Sequence, residues 1–239
     1  MNESIWVVIP TYNEAGSVVA TIDHVHGAVP QATVLIVDDN SPDGTGQIVT
    51  TAQATRSFVR ILHRQKKDGL GPAYAEGLTY ALDHEATIVV HCDADGSHPA
   101  DILPKLTAAL SEADVAIASR YVRGGSMKID PFRQMVSSIG NWYIKLLLGS
   151  QIQDWSSGCK AWKRQTLQRV LSRPLRSTGY ACLMEMSARA IASGAKVAEV
   201  PMVFQLRTAG QSKFSWAIVF EDIRRAWELR AGLAKERKM

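Results

Sequence analysis

The stretch IVVHCDADGSHP, residues 88–99, passes from an apolar run directly into a pair of aspartates. Its first three residues are β-branched, which is typical of a strand buried inside a sheet. Asp93 and Asp95 follow with one residue between them, and half-buried carboxylates at such close range repel each other unless a cation lies nearby. We therefore expect an internal strand whose carboxyl end forms a cation-binding site.

Similar short apolar runs occur on both sides of this stretch and alternate with segments of helical spacing. They predict strands near 5–9, 33–37, 58–62, 87–91, 114–118 and 197–203. Apolar strands that alternate with helices predict a mostly parallel α/β sheet with right-handed crossovers. Up to about residue 120 the expected fold is doubly wound and Rossmann-like.

The alternation changes after residue 120. Glycines and a proline in VRGGSMKIDPF, residues 122–132, predict a loop, and helices are expected at about 133–148 and 181–193. The first of these helices carries an apolar stripe made of Met135, Val136, Ile139, Trp142, Tyr143, Leu146 and Leu147. Helix stripes usually face the core, so we expect this one to be buried, with an interfacial role as the alternative.

The composition bounds the class of protein. The 239 residues fit one large α/β domain, and a net charge of +4 permits anionic partners such as nucleotides or phospholipid headgroups. Three widely spaced cysteines without a CxxC motif predict neither a disulfide framework nor a zinc site. The chain shows no signal peptide and no apolar run of about 18 residues. We expect a cytoplasmic protein that touches a membrane only peripherally, and no nucleic-acid partner.

The segment SWAIVFEDIRRAWELRAGL, residues 215–233, predicts an amphipathic helix with bulky aromatic residues and arginines. Trp216, Val219 and Phe220 belong to its apolar face. Packing against the domain is the first expectation, and a position on a membrane surface is the alternative.

Ligands of open parallel sheets bind beyond the carboxyl ends of the strands. Four predicted strand ends supply Tyr12, Glu14, Asp38, Asp39, Asp93, Asp95 and Arg120. Acidic residues at a single strand end could be helix N-caps, but three acidic strand ends that converge on one crevice favour a ligand site.

The spacing of the two aspartates favours a hard metal ion. In an extended backbone Asp93 and Asp95 point the same way, and Ser97 is the next residue on that face. Mg²⁺ and Mn²⁺ prefer such oxygen ligands, usually one or two carboxylates together with substrate phosphates. His98 does not suit such a site and is interpreted as structural.

In combination, the motifs VIPTYNE, VDDNSPDGTG, GLGPAYAEG and DADGSHP, followed by SRYVRGG, resemble the family 2 inverting glycosyltransferases of the GT-A fold. Within that family the closest resemblance is to dolichol-phosphate and polyprenol-phosphate mannose synthases, and it continues through DWSSGCKAWKR and EVPMVFQLRTAGQSK. The resemblance implies transfer of mannose from GDP-mannose to a polyprenyl (dolichyl-type) phosphate. The alternatives are another donor such as UDP-glucose, or a non-catalytic nucleotide-sugar-binding subunit.

The resemblance also implies a domain organisation. A catalytic domain is expected over residues 1–213, with a nucleotide-sugar half at 1–120 and an acceptor half at 121–213. The amphipathic helix and tail would occupy 214–239, and a membrane-anchored partner could deliver the lipid acceptor.

The resemblance further implies roles for individual residues. Those implied for nucleotide-sugar binding are Pro10, Tyr12, Glu14, Val37, Asp39, Asp93, Ala94, Asp95, Arg207 and Lys213. Those implied as catalytic are Asp93, Asp95 and Arg120. A Mg²⁺ or Mn²⁺ ion is expected on Asp95 and Ser97, although Ser97 stands where the related pattern DADLQHP has glutamine. The acceptor phosphate is expected on Arg120 and Arg133.

This acceptor chemistry explains why arginines are expected in place of a general base. A sugar hydroxyl needs a base because its pKa lies far above neutral pH. A phosphomonoester is already anionic, since its second pKa is about 6. The enzyme should therefore lack a dedicated base and position an anion with cations, a task that the planar fork of arginine suits.

Overall fold

The computed structural model describes residues 3–205 and 223–231. In this part of the chain the strands, numbered in chain order, are β1 (Ile5–Thr11), β2 (Thr33–Asp38), β3 (Val59–His63), β4 (Ile88–His91), β5 (Val115–Ser119), β6 (Ser126–Lys128), β7 (Lys160–Lys163), β8 (Val197–Pro201) and β9 (Val203–Gln205). The helices are α1 (Val18–Ala28), α2 (Thr45–Thr55), α3 (Leu70–Asp83), α4 (Ile102–Ala109), α5 (Pro131–Leu148), α6 (Arg164–Leu171) and α7 (Ala181–Ala192), and residues 223–231 are also helical.

Seven strands form one sheet in the order β3-β2-β1-β4-β7-β5-β8. Neighbouring strands are parallel except at β7, which runs antiparallel between β4 and β5. The expected mostly parallel α/β fold is thereby confirmed. Strand β7 was not predicted, because its four residues are too few to show a period and their pairing depends on insertion between distant strands.

The second half of the chain corrects one strand prediction. The single strand expected at 197–203 is two strands, β8 and β9, separated by buried Met202. Strand β9 leaves the main sheet and pairs in parallel with β6, inside the segment 122–132 that was expected to be a loop. This small second sheet lies next to the ends of β5 and β8, since Met202 N donates to Ser119 O at 2.9 Å.

Two buried clusters lie on opposite faces of the main sheet. Strand alternation directs Trp6 and Val8 of β1 into one cluster and Val7 and Ile9 into the other. Helices α3, α5, α6 and α7 pack on the first face, while α1, α2 and α4 pack on the second. Because both faces are covered, the polar residues at the strand ends are left at the edge of the sheet.

Helix α5 begins as its sequence dictates. The side chain of Asp130 accepts hydrogen bonds from the backbone N–H groups of Phe132 and Arg133, and Pro131 occupies the first turn. A capping aspartate satisfies N–H groups that have no partner within the helix, and proline fits there because it lacks one. The helix predicted at 133–148 is confirmed.

The expected burial of the α5 stripe is wrong for four of its seven residues. Met135, Ile139, Trp142 and Leu146 are between 51% and 63% exposed, as is Phe132 one turn earlier. The helix packs instead through its other apolar side, where Ile144 and Leu147 join the core. Apolar residues occupy two sides of α5, so their spacing alone could not indicate which side is buried. We call Phe132, Met135, Ile139, Trp142 and Leu146 the exposed row.

The helical residues 223–231 pack against α5. Ala226 is buried in the core, and Trp227 Nε1 donates to the hydroxyl of Tyr143 at 2.9 Å. Trp216, Val219 and Phe220 of the predicted amphipathic helix lie outside the described residues. None of the helices between residues 3 and 205, nor the segment 223–231, has the length and apolar character needed to cross a bilayer.

Candidate active site

The carboxyl ends of β1, β2, β4 and β5 lie along one edge of the sheet, because these strands all run in the same direction. The residues expected to share a crevice therefore lie at or just after strand ends along this one edge: Tyr12, Glu14, Asp38, Asp39, Asp93, Asp95 and Arg120.

A turn after β4 holds the two aspartates. The strand ends at His91 and the backbone bends at residues 94–96, between and just after the two carboxylates, so strand alternation does not set their relative direction. Instead Gly96, with φ of +72°, reverses the chain, and Ser97 N donates to Asp95 Oδ1 at 3.0 Å. Asp95 and Ser97 are buried, whereas the Asp93 side chain is 25% exposed.

The walls around Asp93 are made by three residues from other parts of the chain. The Tyr74 hydroxyl on α3 donates to Asp93 Oδ1 at 3.3 Å, and His98 Nδ1 lies 3.8 Å from Asp93 Oδ2. Burial, and then the charge of Asp93, raise the pKa of Tyr74, so its hydroxyl keeps its proton and remains a donor. Gly158 lies behind, where a Cβ atom would be 3.0 Å from Asp93 Oδ2.

The donor set of this turn fits a hard divalent cation. Asp93, Asp95 and Ser97 offer carboxylate and hydroxyl oxygens, the ligands that Mg²⁺ and Mn²⁺ prefer. Within residues 3–205 and 223–231, no three His, Cys, Asp or Glu side chains are arranged to hold a metal.

Arg120, after β5, is held by Asp154. Its Nε and Nη2 atoms each donate to a carboxylate oxygen of Asp154 at 2.7 Å, and its backbone N–H donates to the same carboxylate at 3.0 Å. Nη2 also donates to Ser156 Oγ at 2.7 Å. This bidentate pair fixes the plane of the guanidinium, with the Asp154 side chain 0% exposed and that of Arg120 12% exposed.

Burial and ion pairing shift the pKa values of Asp154 and Arg120 in opposite directions. Burial acts to raise the pKa of Asp154, but the charge and hydrogen bonds of Arg120 outweigh it and hold that pKa below its ordinary value. Burial likewise acts to lower the pKa of Arg120, and the charge and hydrogen bonds of Asp154 raise it overall. The charge of Asp93 acts on Arg120 in the same direction, because both lie at this edge.

Strand β9 joins the Asp93–Ser97 turn to Arg120. Gln205 N donates to Ser97 O at 3.2 Å, while the Phe204 ring lies 5.8 Å from the His98 ring and 5.6 Å from the Arg120 guanidinium carbon. The two halves of the site are therefore in contact through one short strand.

On the nucleotide side, Asp39 follows β2 as a buried carboxylate and forms a hydrogen-bonded ion pair with Arg64. Burial raises the pKa of Asp39, and the hydrogen bond and charge of Arg64 act against this rise. Arg64 also donates to Asp68 at 2.5 Å and to Glu76 at 2.9 Å. One buried guanidinium thus holds three carboxylates beside the expected nucleotide crevice.

The end of β1 supplies an aromatic surface and a turn. Lys67 Nζ lies 3.6 Å from the centroid of the Tyr12 ring, in a cation–π contact. Glu14 Oε2 accepts from Ser17 Oγ at 2.7 Å, and Glu14 N donates to Thr45 Oγ1 at 3.0 Å. Glu14 is therefore held within the turn that starts α1.

The remaining residues predicted for nucleotide-sugar binding are apolar, so their burial and backbone groups describe their position. Val37 is fully buried in β2, Pro10 is half-buried in β1, and Ala94 O accepts from the Thr21 hydroxyl at 2.9 Å. Asp38 accepts from both N and Oγ of Ser41, so it holds the loop after β2 in a turn and is not the N-cap of α2, which is Gly44.

Of the three remaining predicted cations, the structure describes only Arg133. Arg133 is exposed in the first turn of α5 and forms no ion pair with the described residues. Arg207 and Lys213 lie outside the described residues.

Sequence reasoning missed Arg64, Lys67 and Tyr74, and left Asp154 without a partner. Arg64 directly follows β3, so examining that strand end as the other four were examined would have identified it. The contacts of Lys67, Tyr74 and Asp154 join residues far apart in the chain, and no local pattern marks them.

Two relatives match nearly the whole chain. An undecaprenyl-phosphate mannosyltransferase of Micrococcus luteus is 40% identical over 220 residues, covering 92% of this chain and 90% of that protein. A polyprenol monophosphomannose synthase of Mycolicibacterium smegmatis is 39% identical over 236 residues, covering 97% of this chain and 89% of that protein.

The fold is also found among solved structures. A mannosyltransferase from Pyrobaculum calidifontis in complex with GDP-Man and Mn²⁺ superposes with a TM-score of 0.60 and 17% identity, covering 98% of this chain and 74% of that chain. At this identity the likeness concerns the fold, which is that of the GT-A glycosyltransferases.

The family model described as glycosyl transferase family 2 matches residues 6–171, which is more than half of the chain and includes β1 to β7. Together with the two relatives near 40% identity, this match shows that the chain is a glycosyltransferase and belongs to glycosyl transferase family 2.

Proposed function

We propose that this chain is an inverting mannosyltransferase that moves mannose from GDP-mannose to a polyprenyl phosphate, with a divalent metal as cofactor. One arrangement carries the proposal: the Asp93–Ser97 turn and the Arg120–Asp154 pair lie side by side at the sheet edge, joined through β9. The oxygen ligands of the turn suit a divalent metal with a nucleoside diphosphate bound to it. The guanidinium of Arg120 suits the phosphate of a second substrate. The names of the two relatives support mannose as the transferred sugar and a polyprenyl phosphate as the acceptor.

On the acceptor side, Asp154 and Ser156 occupy Nε and Nη2 of Arg120. Nη1 makes no hydrogen bond to the residues that the structure describes, so it is the nitrogen offered to an acceptor phosphate. Arg120 would bind and orient that phosphate while Asp154 fixes the plane of its guanidinium.

Asp154 is unsuited to act as a general base. Both of its oxygens accept from Arg120, its side chain is fully buried, and its pKa is held below the ordinary value. A phosphate nucleophile needs no base, because it is already anionic at neutral pH. The acceptor side is therefore suited to a lipid phosphate better than to a sugar hydroxyl.

On the donor side, Asp95 and Ser97 would hold the metal, and Asp93 would contact the nucleotide. When bound, a divalent ion neutralises charge that develops on the departing diphosphate. The chain itself keeps Asp95 and Ser97 in register through the 3.0 Å hydrogen bond of the turn, and Tyr74 restrains Asp93.

The experiment that tests this function is transfer of radiolabelled sugar by the purified protein into a lipid-extractable product. Polyprenyl phosphate would be offered with GDP-mannose, and separately with UDP-glucose, with and without chelator. We expect mannolipid from GDP-mannose only, and at least a hundred-fold loss with chelator, as loss of a site that stabilises charge in the transition state predicts. Incorporation of label from UDP-glucose would identify glucose, and not mannose, as the transferred sugar. If neither donor gave a lipid product, a non-catalytic nucleotide-sugar-binding subunit would be the better explanation.

Peripheral contact with the cytoplasmic face of a membrane forms part of the proposal, and the exposed row supports it. Its five residues follow the three- and four-residue spacing of one helix side, and Trp227 lies next to α5 with 52% of its surface exposed. Arg230 lies over the Trp227 ring at 5.9 Å. Apolar and aromatic residues beside a cation are typical of helices that lie in a membrane surface.

Replacing both Ile139 and Trp142 with serine should weaken binding to vesicles of phosphatidylcholine and phosphatidylglycerol at least tenfold. Burial of each such side chain contributes roughly 1.5–3 kcal/mol, and about 1.4 kcal/mol corresponds to a factor of ten. Vesicle co-sedimentation measures the effect directly. Transfer to a polyprenyl phosphate embedded in vesicles should fall in parallel, whereas transfer to a short, water-soluble prenyl phosphate should not.

The matched control is Val19→Ser on α1, which packs on the opposite face of the sheet. Its vesicle binding should equal that of the parent protein. If the Ile139/Trp142 variant also sedimented normally with vesicles, the exposed row would have to meet a protein partner instead of lipid.

A further inference from the structure

The buried guanidinium of Arg64 lies at the nucleotide side of the sheet edge. It directly follows β3, its side chain is 3% exposed, and its backbone N donates to Asp38 O at 2.9 Å. The next residues along the chain also reach this crevice, because Lys67 lies over the Tyr12 ring. Arg64 is therefore part of the same crevice as the nucleotide-side residues, although it has no place in the chemistry of transfer.

Arg64 divides its hydrogen bonds unequally among its three carboxylates. Nη1 donates to Asp39 Oδ1, whereas Nη2 donates to both Asp68 and Glu76. The side chains of Asp68 and Glu76 are 35% and 53% exposed, so water can solvate them without Arg64. Asp39 is 9% exposed, and it depends on Arg64 for compensation of its charge.

The pairing leaves one oxygen of Asp39 available. Among the described residues, Oδ2 makes no hydrogen bond, while Oδ1 is engaged by Arg64 and the backbone N–H by Thr11 O at 3.0 Å. An ionised carboxylate only accepts hydrogen bonds. Asp39 therefore offers a fixed acceptor at this edge of the sheet, where its backbone is bonded to the residue before Tyr12.

A fixed acceptor distinguishes two classes of nucleobase. Guanine and uracil carry a ring N–H on the edge used for base pairing, whereas adenine and cytosine carry a ring nitrogen that accepts there. A carboxylate accepts from the ring N–H of the first class and repels the accepting ring nitrogen of the second. A protonated carboxyl group would lose this discrimination, since its O–H could donate to that ring nitrogen while its carbonyl oxygen could still accept from a ring N–H.

We propose that Arg64 is a positioning residue that holds Asp39 as an oriented, ionised acceptor, and that it thereby sets the preference for nucleotides whose base carries a ring N–H. This rests on the proposed function only in that a nucleoside diphosphate occupies the crevice; it does not depend on which sugar is transferred. Burial raises the pKa of Asp39, which explains why a cation is needed to keep it ionised.

The test measures the affinities of GDP and ADP by calorimetry in the presence of Mn²⁺. The parent protein should prefer GDP by roughly a hundred-fold or more, as expected for a polar site that is left unpaired by the wrong ligand. In Arg64→Lys, which keeps a cation among the three carboxylates but loses the planar fork, this preference should fall at least tenfold. ADP affinity should change by less than a factor of two. Arg64→Met should lower the preference for GDP over ADP further, provided that its thermal unfolding shows that the variant is folded.

A purely structural role for Arg64 would weaken GDP and ADP equally, and that outcome would overturn the proposal. An unchanged GDP-to-ADP ratio in folded Arg64→Lys would overturn it as well. Asp39→Asn should by itself remove the preference, and adding Arg64→Lys to it should have no further effect, because the two residues act as one unit. Full additivity of the two changes would show that Arg64 acts through something other than Asp39.

The matched control is Arg60→Lys on β3, where the arginine donates to the carbonyls of Ser57 and Val59 and contacts no carboxylate among the described residues. Its GDP-to-ADP ratio should equal that of the parent. A parent protein that binds neither nucleotide would contradict the proposed function itself. A parent that prefers GDP while Arg64→Lys keeps the ratio would contradict only the role of Arg64.

Discussion

Asp95→Ala is expected to reduce metal-dependent transfer at least a thousand-fold while the protein still folds. Asp95 is a buried carboxylate at the centre of the Asp93–Ser97 turn, and it is the residue proposed to hold the metal. Loss of the ion would remove stabilisation of the departing diphosphate, and about 4 kcal/mol of transition-state stabilisation corresponds to a factor of a thousand. Initial rates of lipid-linked sugar formation across a Mn²⁺ titration measure this directly.

Asp95→Asn tests the role of the charge separately from the role of the turn. Asparagine can still accept the hydrogen bond from Ser97 N, so the turn should persist, but a neutral amide is a poor ligand for a divalent ion. We expect a loss of at least a hundred-fold, partly recovered at high Mn²⁺. Asp101→Asn, an exposed aspartate paired with Lys105 on the following helix, should leave rates unchanged. If folded Asp95→Ala retained more than a tenth of the parent rate, the metal would have to bind elsewhere.

Asp154→Asn should have the largest effect on stability. Removing one partner of a buried ion pair leaves the other charge without compensation, which costs about 3–5 kcal/mol. Here the carboxylate is 0% exposed and accepts from Nε, Nη2 and the backbone N–H of Arg120. Denaturant unfolding should show a loss of this size, and transfer by the folded fraction should fall at least a hundred-fold because Arg120 loses its fixed orientation.

The matched control is Asp23→Asn, since Asp23 forms a similar bidentate pair with Arg56 but at the surface, with side chains 48% and 29% exposed. That change should cost less than about 1 kcal/mol. Equal losses of stability for the two variants would show that burial does not govern the Arg120–Asp154 pair.

The stability loss of Asp154→Asn should also depend on pH. Because the folded-state pKa of Asp154 lies below its ordinary value of 3.8, the pair stabilises the protein above that pH. Its contribution declines as the pH falls through the lowered pKa. The stability difference between the parent and Asp154→Asn should therefore be full near neutral pH and should shrink below pH 3.8.

The strands and their polar ends could be read from the chain because their signals are local. A run such as Ile88–Val90 is apolar on both faces of a sheet, and its end is visible as a change to polar residues, Asp and Gly among them. Parallel order then follows from the intervening helices. For that reason the mostly parallel sheet and the meeting of Asp39, Asp93 and Arg120 at one edge were predictable.

The α5 stripe is a feature whose burial local sequence patterns could not predict. Its apolar residues lie on two sides of the helix, and the side that is buried depends on where the rest of the molecule offers a surface. Periodicity reports that a helix is amphipathic, but it does not report which partner each side has. The exposed row could therefore be recognised only after the helix was placed.

The sequence by itself determined the class of fold, the family and the position of the aspartate pair after β4, because strand periodicity and short motifs are properties of neighbouring residues. Only the tertiary structure decided the partners: Asp154 for Arg120, Arg64 for Asp39, and Tyr74 for Asp93. These pairs join residues 34, 25 and 19 positions apart in the chain. Their interactions are strong because the folded protein shields the paired groups from water. Which distant side chains are buried against each other depends on the whole fold, so no single stretch of sequence indicates these partners.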